Sequence, residues 1–156
     1  MRRVVLDSNG VDPLVDQPGA IEVIDAAIRD GEIEILGTHI LADELAATAN
    51  PARRSMLQQI LAHTTPTNTA GFVFGVSKFN QAEFSSDTDV DRVAHLTAGR
   101  TDGKHINDAL LALTAGSHGV TLVTADKGLT GRARALGIEV LHPQALLAEL
   151  GFPPPA

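Results

Sequence analysis

Short apolar runs alternate along the chain with longer stretches in which apolar residues recur every three or four positions. Residues 3–6, 33–36, 120–124 and 138–141 are too short for helices and rich in β-branched residues, so each predicts a strand. The runs at 4–6 and 120–123 are apolar without alternation, as central strands of a parallel sheet are. The runs at 33–36 and 138–141 each carry one Glu, which predicts edges. Helical spacing follows in turn: Ile21, Ile24, Ala27 and Ile28 up to a stop at Gly31, then a helix capped by Thr38 and running to about Thr48. Asn50-Pro51 supplies an N-cap followed by proline at the first helical position, opening a helix through about Ala62. Further helices are predicted at about 90–98, from near Lys104 to Ala115, at 129–136, and from Pro143 to near Leu150. Residues 72–76 read as a strand or hydrophobic plug before a polar stretch at 80–89. Strands alternating with helices predict an α/β fold, a mainly parallel sheet covered on both faces.

Composition narrows the class. The 156 residues form one expected domain over 1–150, with 151–156 a flexible, Pro-rich tail. No apolar run approaches the roughly 20 residues of a membrane helix, and Met1-Arg2-Arg3 leads directly into a strand, so a cytoplasmic chain is expected. There is no cysteine, which excludes disulfides and thiolate zinc sites. The net charge of −7 is uneven: residues 1–50 hold ten acids and three bases, the remainder nine of each. No basic stripe of the kind that binds nucleic acid nonspecifically is visible in the sequence. The six histidines are scattered, without zinc-pair spacing, and His105 reads as a polar residue at a helix start.

Four acids change the picture. Asp7, Glu44, Asp108 and Asp126 each fall where a strand or helix begins or ends. In an open α/β sheet, ligands bind outside the carboxyl ends of the strands, and the predicted topology carries all four toward that edge. Glu44 borders the face shared by Leu41, Leu45 and Thr48, whereas Asp43 points about 200° away from those leucines and should face water. Carboxylates gathered in one cleft repel one another unless a cation neutralises them, which is the logic of a divalent-metal site. Taken singly, each has a plainer reading: an Asx-turn for Asp7, a dipole acid for Asp108, a turn acid for Asp126, a solvated helix acid for Glu44.

The segments Val5-Leu6-Asp7-Ser8-Asn9, Thr38-His39-Ile40-Leu41-Ala42-Asp43-Glu44-Leu45, Asn107-Asp108-Ala109-Leu110-Leu111-Ala112 and Thr124-Ala125-Asp126 together resemble the PIN-domain nucleases, and within them the VapC-type toxins of toxin–antitoxin pairs. The resemblance implies a PIN-like three-layer α/β/α sandwich and a Mg²⁺- or Mn²⁺-dependent endoribonuclease acting on RNA. It also implies a small antitoxin as possible partner and a homodimer. Asp7, Glu44, Asp108 and Asp126 would then be the catalytic metal ligands, with Asn9 and Thr124 as polar supports. The chain departs from the pattern where Asp126 is followed by Lys127-Gly128-Leu129 instead of a further acid or Asn and an aromatic. Lys104, Lys127, Arg132 and Arg134 fall near the same edge and are candidate phosphate contacts; the bland reading of each is solvated charge.

Two other readings stand beside this one. Leu6-Asp7-Ser8-Asn9-Gly10-Val11 superficially resembles the nucleophile loop of haloacid-dehalogenase-like phosphatases, but the position that needs an acid is Asn9, a poor proton donor. A non-catalytic PIN-like interaction domain would keep the fold and bind metal weakly.

Overall fold

The computed structural model describes residues 1–67, 95–96 and 103–154. The expected strand or plug at 72–76, the polar stretch at 80–89 and most of the expected helix at 90–98 lie outside them, although Leu96 is buried in the core. The described elements run β1 (Arg2–Leu6), α1 (Ser8–Asp16), α2 (Ala20–Arg29), β2 (Ile33–Gly37), α3 (His39–Ala46), α4 (Pro51–Ala62), β3 (Thr65–Pro66), α5 (Gly103–His118), β4 (Thr121–Val123), α6 (Lys127–Ala135), β5 (Val140–Leu141) and α7 (Pro143–Glu149). The strands form one all-parallel sheet in the order β3-β2-β1-β4-β5.

Successive side chains of a strand point to opposite faces, so each strand feeds two cores. Val4, Leu6, Ile33, Ile35 and Val123 join α1, α2 and α7 on one face. Val5, Leu36, Leu122 and Val140 join α5 and α6 on the other. Helix α5 presents Ala109, Leu110, Leu111, Ala112 and Leu113 to its surroundings, all buried, which is why its sequence is apolar nearly all round.

Several expectations are corrected. Helix α1 was not foreseen, because Asn9-Gly10 and Pro13 are poor helix formers. It exists because Asp7 caps it and Val11, Leu14 and Val15, at spacings of three and four, are buried. The two-residue β3 pairs with β2, so β2 is internal and only β5 is an edge of the expected pair. Helix α5 runs past the expected end at Ala115 to His118, with Gly116 inside it, where a Cβ would come within 3.2 Å of Ile138, and Gly119 follows with φ 62°. The tail is not wholly free. Phe152 packs against the first core and its backbone N–H donates to the Leu147 carbonyl at 2.9 Å. Among the described residues, no helix is long and apolar enough to cross a membrane.

Candidate functional site

Strand β1 is the middle of the sheet, and Asp7 is the first residue past its carboxyl end. Its backbone is extended (φ −93°, ψ 173°), and its side chain turns back as the N-cap of α1. Oδ1 accepts from the Gly10 N–H at 2.6 Å, and Oδ2 accepts from the Thr124 hydroxyl at 2.6 Å. Gly10 is required there, since a Cβ would overlap the Val123 carbonyl oxygen. Asp7 has no solvent exposure.

Burial penalises the Asp7 anion and pushes its pKa up to about 7. The Thr124 and Gly10 hydrogen bonds work the other way, while the nearby charges of Asp108 and Glu44 raise it further. The structure therefore brings three of the four predicted acids, from β1, α3 and α5, within electrostatic reach of one another. Glu44 is half-buried, as the helix geometry predicts, and Asp43 is exposed. Glu44 Oε1 accepts from Asn107 Nδ2 at 3.1 Å, while its Oε2 is buried without a hydrogen-bond partner. Asn107 was not singled out from sequence; its position beside Asp108 in the quoted motif was the available signal. Asp108 is buried in α5.

Asp126 joins this group through Thr124. Its backbone N–H donates to Thr124 Oγ1 at 3.1 Å, so one threonine hydroxyl links two of the acids. The Asp126 carboxylate is turned toward its own helix, where Oδ1 accepts from the Leu129 N–H at 2.9 Å and caps α6. Asn9, Asp12, Pro13, Ala125 and Asp126 border an open hollow of about 410 Å³. Arg53 of α4 ties down α1 through Asp12 at 2.9 Å and Asp16 at 2.7 Å.

The hard oxygen donors and the orphaned Glu44 Oε2 suit a divalent cation. Among the described residues, however, no three acidic or histidine side chains are drawn together as a ready-made cage. The donor chemistry fits; a closed coordination shell is not formed.

The candidate phosphate contacts separate. Lys127 and Arg134 are exposed, at one hollow. Arg132 is half-buried and its Nε donates to the Leu96 carbonyl at 2.7 Å, which makes it a strap to that residue. The side chain of Lys104 lies outside the described part of the structure.

No protein-family model matches the chain, and no curated protein is significantly similar to it in sequence. Solved structures do resemble it. PAE2754 from Pyrobaculum aerophilum superposes with a TM-score of 0.57 at 17% identity, covering 96% of this chain and 97% of that one. VapBC2 from Rickettsia felis, bound to a DNA fragment from its promoter, gives a TM-score of 0.48 at 14% identity, covering 90% and 98%. FitAcB from Neisseria gonorrhoeae gives 0.45 at 20% identity, covering 90% and 97%. At such identities a likeness concerns the fold, and of these three the Pyrobaculum protein carries it. The chain has a PIN-like three-layer α/β/α fold with a parallel central sheet.

Proposed function

We propose that this chain is a divalent-cation-dependent endoribonuclease of the VapC-like toxin type, hydrolysing RNA phosphodiester bonds. The observation that carries the reading is Asp7. A fully buried carboxylate at the carboxyl end of the central strand, its pKa pushed up to about 7 chiefly by burial and raised further by two nearby carboxylates, is costly to keep unless a cation relieves it.

Asp7, Glu44, Asp108 and Asp126 would hold Mg²⁺ or Mn²⁺. When bound, such a cation lowers the pKa of attacking water and neutralises charge on the phosphodiester. The chain's own residues set the stage. Thr124 and Gly10 fix both oxygens of Asp7, and Asn107 orients Glu44 with Oε2 still available. Asp126 would have to release its cap on Leu129 or bind through its other oxygen. Asn9 borders the hollow beside Asp126 and would support a water or substrate oxygen there.

The toxin reading adds a small antitoxin presenting a basic side chain to the carboxylates, self-association into a homodimer, and a cytoplasmic setting. The decisive test is Mn²⁺-dependent cleavage of structured RNAs by the purified chain, with Asp7→Asn as control. Cleavage by the native chain and none by the variant is expected; an inert native chain, or a fully active variant, refutes the proposal. The lack of a closed cage among the described residues favours, as second reading, a non-catalytic PIN-like interaction domain. That domain would show no cleavage under any divalent cation.

A further inference from the structure

An acidic chain that handles RNA must find positive charge somewhere, and the structure restricts where. Among the described residues, Arg2, Arg3 and Arg53 are already taken up by carboxylates: Arg2 by Glu139 and Glu149, Arg3 by Glu34, Arg53 by Asp12 and Asp16. Arg132 and Arg54 are half-buried, on the Leu96 carbonyl at 2.7 Å and the Thr48 carbonyl at 3.3 Å. Arg29 ends α2, just before β2 begins, and so lies toward the opposite end of the sheet. Of the bases whose side chains the structure describes, Lys127 and Arg134 are left, exposed, and they border the same hollow of about 380 Å³.

That hollow starts at Thr124, whose hydroxyl is bonded to Asp7, and extends to His142 beyond the edge strand β5. Three donors face it. Lys127 is the first residue of α6 and is exposed. Arg134 is steadied by one bond, from Nη2 to the Val140 carbonyl at 3.1 Å, with the rest of its fork unspent. His142 accepts the Gln144 N–H on Nδ1 at 3.2 Å as the N-cap of α7. In the neutral ring that acceptor role places the proton on Nε2, making it a donor.

Gly131 supplies a separate observation. It lies inside α6, where glycine costs about 1 kcal/mol relative to alanine, yet a Cβ there would meet nothing within 4 Å. Among the described residues no neighbour requires the glycine, and it lines this hollow. Its bare backbone leaves the floor open to a ligand.

We infer that this hollow is a phosphate subsite for the RNA strand, holding a backbone phosphate flanking the scissile bond with Lys127, Arg134 and His142. The inference rests on the ribonuclease reading and adds the path by which the substrate leaves the carboxylates, over the β4–β5 edge. Phosphate contacts position a strand without reading its bases, so the subsite serves any sequence.

The test is binding, not cleavage: the full chain carrying Asp7→Asn, in EDTA, titrated against a fluorescent single-stranded RNA over a range of salt. Losing the one phosphate these two bases share should lower the log–log salt slope by about 0.7 in Lys127→Ala/Arg134→Ala, or roughly 5-fold in affinity at 0.1 M salt. His142→Asn retains a capping oxygen, and loss of its Nε2 donor should weaken binding about 5-fold. Gly131→Glu should weaken binding without unfolding the chain, and Arg29→Ala should leave it unchanged. An unchanged slope in the double variant, undiminished binding by Gly131→Glu, or displacement of the RNA by inorganic phosphate at matched phosphate concentration would each overturn the subsite. Loss of slope with a native chain that cleaves nothing would keep the subsite and sink the nuclease; cleavage with an unchanged slope would do the reverse.

Discussion

Replacing Asp7 by Asn should make the metal-free chain more stable at neutral and alkaline pH. The carboxyl has an ordinary pKa of 3.8 and is pushed up to about 7 in the folded state, chiefly by burial. Below pH 3.8 both folded and unfolded chains hold the proton, and the group is neutral toward folding. Between 3.8 and about 7 the unfolded chain has released it and the folded chain has not, so stability falls as pH rises. Above about pH 7 the folded state carries the whole penalty, about 4 kcal/mol at 1.36 kcal/mol per pH unit. Asn never ionises, yet its side-chain oxygen can still accept from Gly10 and its amide can donate to Thr124 once that hydroxyl rotates. The variant should therefore gain about 2–4 kcal/mol over the native chain at pH 8.5 and almost nothing at pH 4. For a chain of this size that is a rise in Tm of roughly 4–16 °C. Urea and thermal unfolding in EDTA from pH 4 to 8.5 measure it. Parallel curves for the two proteins, or a variant less stable at pH 8.5, would refute the claim that Asp7 is a strained anion.

Other outcomes follow from the same geometry. Millimolar Mn²⁺ at pH 8 should raise the native Tm and leave that of Asp7→Asn unmoved; equal shifts would place the cation elsewhere. Thr124→Val removes the hydroxyl donated to Asp7 and should cost about 1.5–3 kcal/mol at pH 8, less at pH 5, with Thr124→Ser restoring most of it in urea titrations. Gly10→Ala drives a methyl into the Val123 carbonyl and should cost about 1–3 kcal/mol; an unshifted urea midpoint would refute the close approach. Glu44→Gln should lower RNA cleavage at least about tenfold, whereas exposed Asp43→Asn should stay within about twofold, and equal effects would contradict the helix-face assignment. Arg132→Ala should lower stability but leave the salt slope of RNA binding intact, because it is half-buried on Leu96 and does not line the hollow of Lys127 and Arg134.

The central strands were legible in sequence because a buried parallel strand needs apolar side chains on both faces, and residues 4–6 and 120–123 have them. Caps were equally readable: Thr38 and Asn50 accept from Leu41 and Arg53 N–H groups, as short polar residues at those positions should. Helix α1 was illegible for the complementary reason. Asn9, Gly10 and Pro13 argue against it locally, and only the tertiary burial of Val11, Leu14 and Val15, with the Asp7 cap, outweighs them. Strand β3 has two residues, one a proline, and carries no periodicity to read. At the site, topology predicted that Asp7, Glu44, Asp108 and Asp126 approach one edge, and a face argument separated Glu44 from Asp43. The partners of those groups were out of reach: Asn107 on Glu44, Arg132 on Leu96 and Arg134 on Val140 depend on how helices sit against the sheet, which no local pattern encodes.

Asp7 is also the pin of a joint. With the carboxylate cut back to alanine, the Gly10 amide keeps only the Asp7 backbone carbonyl at 3.0 Å and the turn into α1 loses its side-chain lock, so such a variant would confuse a weakened hinge with a silenced reaction. A descendant abandoning the chemistry could keep the hinge cheaply through Asn or Ser, and either at this place is the scar such a loss would leave.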